Sequence, residues 1–165
     1  MNAILLLMVS VSAGGGQPVI EFDNEIIPIL TKAGCNTGAC HGAAVGRGGF
    51  KLSLYGGDPE FDYRSIVFDL EGRRINLARP DESLIVLKAT ESIEHGGGTC
   101  LEFEGAGSEI LLKWIAEGAS RIERRRLDEF HVSPKSHIAS RVDTQIQLKA
   151  TAQFSDGSTV DVTQW

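Results

Sequence analysis

The chain has 165 residues, of which 42% are hydrophobic and 23% are charged, and its formal net charge is −6. This length suits one domain of about 100 residues and part of another. The chain is modestly acidic, and its sequence shows no clustered basic face of the kind on which nucleic-acid binding depends. We therefore expect no nucleic-acid partner, and a weak preference for a partner protein that is basic or neutral.

An apolar run of residues 3–9 opens the chain, and the small residues Val11-Ser12-Ala13 follow it. This pattern predicts a secretory signal peptide over residues 1–13, with a membrane-associated apolar tail as the alternative. The run is too short to span a bilayer. We therefore expect an exported protein, periplasmic or at the cell surface, with no transmembrane span beyond the signal peptide.

The first predicted helix covers residues 21–34. Asp23 is its expected N-cap, Pro28 is expected to bend it, and Gly34 is expected to end it. Its apolar side chains recur at helical spacing, at Phe22, Ile26, Ile27 and Leu30. We expect this amphipathic helix to deliver the cysteine that follows it.

Two cysteines and a histidine follow on one short turn, Cys35-Asn36-Thr37-Gly38-Ala39-Cys40-His41. In c-type haem attachment, two thiols bond to one porphyrin edge and the histidine after the second binds the iron. The usual signature has two residues between the cysteines, whereas four intervene here. Gly38 and Ala39 are expected to let the longer loop fold without clashes. The motif predicts haem c, covalently attached to Cys35 and Cys40, with His41 as the proximal iron ligand.

Two other interpretations of the same residues stay open. In an exported protein, Cys35 and Cys40 are also a plausible disulfide. A zinc ion bound by both thiols, His41 and a distant histidine is the second alternative.

A candidate distal ligand lies in the stretch Glu94-His95-Gly96-Gly97-Gly98. The only methionines, Met1 and Met8, fall inside the predicted signal peptide, so the mature chain offers no thioether to the iron. His95 is therefore the candidate sixth ligand, and the glycines after it are expected to let its backbone approach the porphyrin. An exposed turn histidine and a vacant sixth position are the alternatives, and the next candidates are His131 and His137.

Two further features have no firm assignment. Arg73 and Arg74 suit haem propionates, because a guanidinium matches a carboxylate, but a solvated loop is the simpler interpretation. Cys100 is an odd cysteine, for which an intermolecular disulfide and a buried thiol are the alternatives, and we assign it no role.

The remaining elements of the first half follow from local signals. Residues 50–55 alternate between apolar and polar and predict a short half-buried strand. Asp58 is expected to cap a helix that opens at Pro59. Further helices are predicted over residues 81–90 and 108–118.

The hydrophobic period changes after an arginine-rich linker at residues 121–127. Residues 145–154 alternate strictly, Ser155-Asp156-Gly157-Ser158 predicts a hairpin turn, and residues 160–162 continue a return strand. Two or three strands do not bury a sandwich core. We therefore expect an antiparallel sandwich that begins in residues 128–165 and continues in downstream domains of the same chain.

Segments in both halves resemble those of known families. The first half contains Phe22-Asp23-Asn24-Glu25-Ile26-Ile27-Pro28-Ile29-Leu30, Cys40-His41-Gly42, Gly72-Arg73-Arg74, Pro80, Ser83-Leu84, His95-Gly96-Gly97, Trp114-Ile115 and Gly118-Ala119. It resembles the cytochrome c-like domain of large planctomycete-type exported proteins. The second half contains residues 148–152, Phe154-Ser155-Asp156-Gly157-Ser158 and Asp161-Val162-Thr163. It resembles the start of a bacterial immunoglobulin-like group 2 domain.

The resemblance implies a mainly α fold: a cytochrome c-like haem domain over residues 20–120 with a small β segment, then an incomplete all-β immunoglobulin-like sandwich over residues 128–165. It also implies haem carried by Cys35, Cys40 and His41, in a protein with further domains downstream.

Two functions from different classes are compatible with these patterns. The first is an electron-transfer or redox-sensing haem module of an exported surface protein, which serves an unidentified redox partner without catalytic turnover. The second is a haem-free adhesion or carbohydrate-binding module with a Cys35–Cys40 disulfide. Nothing in the sequence argues specifically for a peroxidase-like enzyme.

Overall fold

The computed structural model describes residues 20–139 and 141–163. The predicted signal peptide over residues 1–13 lies outside the described residues. Within the described ranges, no helix has the length and apolar character needed to cross a membrane.

Short helices make up the first part of the structure and a small sheet the last part. A π-helical turn, Phe22–Ile26, runs directly into the first α-helix, and single 3-10 turns lie at Leu54–Gly56 and Pro80–Glu82. The elements are α1 (Ile27–Lys32), α2 (Pro59–Val67), α3 (Leu84–Ala89), α4 (Ala106–Ala116), β1 (Leu127–Ser133), β2 (Lys149–Phe154) and β3 (Thr159–Asp161).

The predicted fold class, a mainly α cytochrome c-like domain followed by the start of an all-β immunoglobulin-like sandwich, is wrong. Helices account for 30% and strands for 13% of the structure, and the described strands form one antiparallel sheet in the order β1-β2-β3. Residues with a positive φ recur along the chain. This conformation is typical of helix ends and tight turns, so the helices stay short and irregular segments connect them. These positions include Gly34, Gly46, Gly56, Gly72, Gly98 and Gly118.

The strand predicted at residues 50–55 is also wrong. Phe50 makes only an isolated bridge to Arg47, and the segment ends in the Leu54–Gly56 turn. Tyr55 has a φ of 53° there, which no strand tolerates. The alternation of apolar and polar side chains therefore reflects a half-buried irregular segment, since Leu52 is buried in the core while Lys51 is exposed.

The structure tests the capping residues that the sequence predicts at the helix ends. The side chain of Asp58 accepts a hydrogen bond from the Phe61 N–H at 3.0 Å, which confirms it as the cap of α2. Pro28 lies in the first turn of α1, where the π-helical turn changes to α. Asp23 does not cap the first helix, because its carboxylate instead binds the guanidinium of Arg121 at 2.7 Å and 2.8 Å.

The hydrophobic core lies between the first helix and α4. Phe22 is fully buried, and its ring packs at 5.3 Å from that of Tyr63 and at 5.4 Å from that of Trp114. Aromatic pairs at such distances add to the free energy gained by burying their surface. Trp114 also donates a hydrogen bond from Nε1 to the Ser120 carbonyl at 2.9 Å, so its polar atom is satisfied.

Few side chains of the described sheet are buried. Ala152 and Phe154 of β2 are buried, whereas β1 is exposed along its whole length. The hairpin between β2 and β3 forms at the predicted turn, where the Phe154 N–H donates to the Ser158 carbonyl at 2.9 Å. The strand β1 is not among the predicted strands, because its alternation is confined to residues 129–133 and a register shift interrupts it between Leu127 and Glu129.

A buried ion cluster joins the first helix to the sheet through the predicted linker. The guanidinium of Arg125 donates to the carboxylates of Glu21 and Glu25, each at 2.8 Å, and lies 4.3 Å from the ring centre of Phe154. These three charged residues are at most 9% exposed. The division of the chain at residues 121–127 stays a prediction, but Arg125 anchors this segment on both sides.

Candidate functional site

The turn that carries the two cysteines is closed by main-chain hydrogen bonds. The His41 N–H donates to the Cys35 carbonyl and the Gly42 N–H to the Thr37 carbonyl, both at 3.0 Å. A Cβ on Gly42 would stand 2.1 Å from the Asn36 carbonyl oxygen, whereas one on Gly38 would meet only Leu54 at 3.9 Å. The turn therefore requires glycine at position 42, and the expectation that Gly38 relieves the crowding is wrong.

Asn36 attaches this turn to its surroundings. It is fully buried, and its side-chain Nδ2 donates to the Thr31 hydroxyl at 2.8 Å. Its main-chain carbonyl accepts a hydrogen bond from the Tyr55 N–H at 3.1 Å. The turn is thus held against α1 on one side and the Leu54–Gly56 turn on the other. Such support fixes the direction of the side chains that the turn presents.

His41 follows the second cysteine and points one nitrogen at a carbonyl. Its Nδ1 lies 3.1 Å from the Phe50 carbonyl oxygen, and its ring packs 4.6 Å from the ring of Phe50. Because a carbonyl only accepts, Nδ1 carries the proton and Nε2 keeps a free lone pair. Burial lowers the pKa of His41, which favours the neutral form that binds metals.

His95 repeats this arrangement from another part of the chain. Its Nδ1 lies 3.0 Å from the Gly98 carbonyl oxygen, so Nε2 is again the free nitrogen. A Cβ on Gly97 would stand 2.9 Å from Cε1 of the ring, so this glycine makes room for the imidazole. His95 is half-buried.

The structure brings the two imidazoles together. Their ring centres are 6.2 Å apart and their planes differ by 12°. Two imidazoles that share one metal through Nε2 have ring centres about 6 Å apart, because each metal–nitrogen bond is about 2 Å long. The separation of His41 and His95 thus fits two ligands of a single iron.

Both histidines line one cavity of about 400 Å³. This volume falls in the range of about 300–1,000 Å³ that ligand sites occupy. Apolar side chains form much of its wall, and the charged side chains of the wall are all cationic, with no carboxylate among the described lining residues. The apolar ones include Leu30, Phe50, Leu52, Leu84 and Ile85, and the cationic ones are Arg47, Arg73, Arg74 and Lys88.

Arg74 is a buried residue of the cavity wall. Its guanidinium donates to the carbonyls of Ser65 at 2.8 Å and Gly49 at 3.1 Å, and lies 4.4 Å from the ring centre of Phe50. Arg74 is 6% exposed, whereas the neighbouring Arg73 is exposed. Arg74 therefore positions Phe50, the residue that holds His41, and Arg73 is the freer cation of the two.

Two of the three thiols, those of Cys35 and Cys100, lie at the cavity or beside one of its histidines. Cys35 lines the cavity, and burial raises the pKa of its thiol to about 12, with further contributions from Cys100 and Cys40. The Sγ atom of Cys100 lies 4.0 Å from Nδ1 of His95 and donates to the Gly98 carbonyl at 3.6 Å. All three cysteines are free thiols. The sequence left Cys100 without a role, although its position five residues after His95 was a signal that the two lie together.

The other histidines lie elsewhere. His131 and His137 are both exposed, and Nε2 of His131 is 2.8 Å from a carboxylate oxygen of Glu129. Among residues 20–139 and 141–163, no group of three or more His, Cys, Asp or Glu side chains is arranged to hold a metal ion. The zinc alternative therefore gains no support, whereas haem needs only two axial ligands from the protein because the porphyrin supplies the rest.

Comparisons of the chain with protein-family models, with curated proteins and with solved structures found no match. The resemblance to planctomycete-type proteins therefore stays a prediction that rests on the sequence segments given for it.

Proposed function

We propose that the chain binds one haem in this cavity and acts as an electron-transfer or redox-sensing module. The observation that carries the proposal is the facing pair of imidazoles, 6.2 Å apart, each with Nδ1 held by a backbone carbonyl. Histidine ligands of metals usually donate their second N–H in this way, which fixes the ring and the free nitrogen. Two such rings that line one cavity would suit the two protein ligands of a single haem iron.

Each residue of the site has a distinct role in this proposal. Cys35 and Cys40 form the covalent attachment, His41 is the proximal iron ligand and His95 is the distal ligand. When bound, haem supplies one-electron redox chemistry at its iron. The chain orients both imidazoles through the Phe50 and Gly98 carbonyls and keeps His41 neutral by burial.

The lining of the cavity favours a flat, apolar ligand with negative groups at its edge. Its leucine, isoleucine and phenylalanine side chains suit a porphyrin face. Its cationic side chains suit two propionates, since charge-assisted hydrogen bonds to carboxylates are strong. Arg73 is exposed and Arg74 is committed to carbonyls, so Arg73 is the better candidate for a propionate.

Electron transfer suits the site better than turnover. His41 and His95 would both hold the iron, whereas catalytic metal sites keep one position open for a substrate. Two imidazoles also give a lower reduction potential than a histidine and a methionine. The proposal includes an exported setting, as the pattern of residues 1–13 predicts, and an unidentified redox partner protein.

The test is to produce the chain in the periplasm together with a cytochrome c maturation system. We expect the mass of the polypeptide plus one haem after denaturation, and a six-coordinate low-spin spectrum. The variant His95→Ala should keep covalent haem and lose the low-spin spectrum, whereas His41→Ala should impair assembly. The matched control is His137→Ala, which removes an exposed histidine and should leave mass and spectrum unchanged.

Two outcomes contradict the proposal. One is a chain without haem whose peptide map shows a Cys35–Cys40 disulfide, which would favour the adhesion or carbohydrate-binding alternative. The other is an unchanged spectrum of His95→Ala, which would make His131 or His137 the next candidate for the distal ligand.

A further inference from the structure

The distal loop, residues 90–99, is held at both ends by α3. Near the start of the loop, the Ile93 N–H donates to the Leu87 carbonyl at 3.3 Å. Directly after the loop, the Cys100 N–H donates to the Ala89 carbonyl at 2.9 Å. Both ends are therefore fixed to the last turn of one short helix, and the position of the middle depends on further contacts.

The middle of the distal loop carries His95 on a closed turn. The Gly98 N–H donates to the His95 carbonyl at 2.9 Å, and Nδ1 of the imidazole lies 3.0 Å from the Gly98 carbonyl oxygen. Both bonds join atoms of the turn to each other. They orient the ring relative to its own turn, but they do not set the distance from the turn to His41.

Lys88 connects this turn to α3. Its Nζ donates a hydrogen bond to the carbonyl of Glu94, the residue directly before His95. Lys88 lies in the last turn of the helix and lines the same cavity as both imidazoles. A hydrogen bond from an ammonium is charge-assisted and roughly twice as strong as a bond between neutral groups. It therefore holds the start of the turn more firmly than a neutral donor would.

We propose that Lys88 is the positioning residue of the distal loop. Its ammonium holds the Glu94 carbonyl and thereby keeps the ring of His95 in place, 6.2 Å from the ring of His41. The hold on the loop is independent of haem, whereas its effect on iron ligation rests on the proposed function. Lys88 acts on the iron only through His95.

The peptide bond explains why a carbonyl one residue away controls the imidazole. The carbonyl of Glu94 and the Cα of His95 belong to the same planar peptide unit. A carbonyl held in one direction therefore fixes the direction in which the backbone enters His95. The bond to Gly98 orients the ring within the turn, and the bond from Lys88 orients the turn within the cavity. Together they direct the free Nε2.

A contact with a carboxylate of the ligand is the competing role for this lysine, because its side chain lines the cavity. The two roles differ in what they predict for the chain without haem. If Lys88 only binds a ligand carboxylate, its removal leaves the distal loop of the haem-free chain unchanged. If it positions the loop, its removal loosens the loop even when no ligand is present.

The first experiment follows amide hydrogen exchange in the haem-free full chain by NMR. The amides of Ile93, Gly98 and Cys100 are hydrogen-bonded and report on opening of the distal loop. In Lys88→Met, which keeps an unbranched side chain but has no donor, we expect these amides to exchange severalfold faster. Lys88→Arg keeps a charged donor and should largely restore the wild-type rates.

The matched control is Lys113→Met. Lys113 lies on α4 and pairs with Glu117 at 3.9 Å, so this variant removes a lysine that is not part of the cavity wall. Its loop amides should exchange at wild-type rates. Wild-type exchange in Lys88→Met overturns the proposal. Faster exchange spread evenly over the whole chain also overturns it, because the lysine would then support the fold rather than the loop.

The second experiment measures how often the distal ligand leaves the iron in the haem-loaded chain. Carbon monoxide binds ferrous haem at the position that the distal histidine vacates, so its binding rate reports the fraction of molecules in which that position is free. We expect severalfold faster binding in Lys88→Met, rates close to wild type in Lys88→Arg and Lys113→Met, and the fastest binding in His95→Ala. A wild-type rate in Lys88→Met overturns the proposal. If no variant takes up haem, the proposed function fails, while amide exchange still decides whether Lys88 holds the loop.

Discussion

Gly97 lies against the imidazole of His95, because a Cβ at position 97 would stand 2.9 Å from Cε1 of the ring. The contact places a side-chain-free residue where the distal imidazole needs room. The rings of His41 and His95 are separated by 6.2 Å, so a displacement of one ring by less than 1 Å changes the spacing on which shared ligation depends.

The first prediction is that Gly97→Ala displaces the ring of His95 from its position 6.2 Å from the ring of His41. In the haem-loaded chain we expect a large part of the six-coordinate low-spin spectrum to be lost, while the covalent haem content is retained. Gly96→Ala is the matched control, because position 96 also lines the cavity but has nothing within 4 Å of its Cβ. Equal spectral loss in both variants would contradict this prediction. It would mean that any methyl group added to this loop disturbs the site, whether or not it contacts the ring of His95.

The second prediction concerns the turn between the cysteines. Gly42→Ala places a Cβ 2.1 Å from the Asn36 carbonyl oxygen, and the turn must open to relieve the clash. We expect a loss of about 1–3 kcal/mol in the free energy of unfolding, as for other overpacked sites. Haem attachment should decline as well, because Cys40 and His41 precede this residue directly.

Gly38→Ala is the control for that prediction, since its Cβ would make only an ordinary contact with Leu54 at 3.9 Å. Urea denaturation of the two haem-free variants, followed by far-ultraviolet circular dichroism, compares their stabilities. A Gly38→Ala chain that is destabilised as strongly as Gly42→Ala contradicts the geometry of the turn.

Local sequence signals predicted the positions of the helices better than the fold. The apolar spacing near Trp114 and the cap at Asp58 correspond to α4 and α2. These signals act between residues that are close in the sequence, so they do not depend on how distant segments pack. The fold class failed because it depended on how short segments pack, and positive-φ turns such as Gly46 and Gly72 divide this chain into short pieces.

The site itself was only partly visible in the sequence. Cys35, Cys40 and His41 are adjacent along the chain, so their spacing was readable directly. The Phe50 and Gly98 carbonyls that orient the histidines are backbone atoms, which no side-chain pattern reports.

The third prediction is that the buried cluster around Arg125 stabilises the chain. Arg125→Ala leaves the carboxylates of Glu21 and Glu25 without their guanidinium and removes the contact with Phe154. Breaking a buried ion pair from one side costs about 3–5 kcal/mol, because a desolvated charge remains. Urea denaturation at neutral pH should show a loss of this size.

The matched control is Arg126→Ala, the next residue along the chain. Its guanidinium pairs with Asp128 at 2.9 Å, but its side chain is 75% exposed. Exposed pairs contribute at most about 1 kcal/mol. If both arginine variants lose the same small amount, the cluster does not hold the sheet against the first helix.

The fourth prediction is a pH dependence that originates at His41. Burial lowers the pKa of this residue in the folded chain, and the neighbouring His95 and Arg74 lower it further, whereas the hydrogen bond to the Phe50 carbonyl opposes them. The unfolded chain titrates near its ordinary value of about 6.5 and therefore binds a proton more readily than the folded chain. The stability from neutral His41 is complete above that pH and is lost as the pH falls through the folded pKa.

The measurement is the free energy of unfolding of the haem-free chain in urea, at a series of pH values from about 7.5 down to about 5. We expect the wild type to lose stability across this range, and His41→Gln to lose less, because glutamine does not take up a proton. His137→Gln, at an exposed site, should follow the wild-type curve. The difference between the wild type and His41→Gln cancels the carboxylates that titrate in both chains. A difference that stays constant with pH would mean that protonation of His41 does not oppose folding, and that burial does not hold this imidazole in its neutral, ligand-competent form.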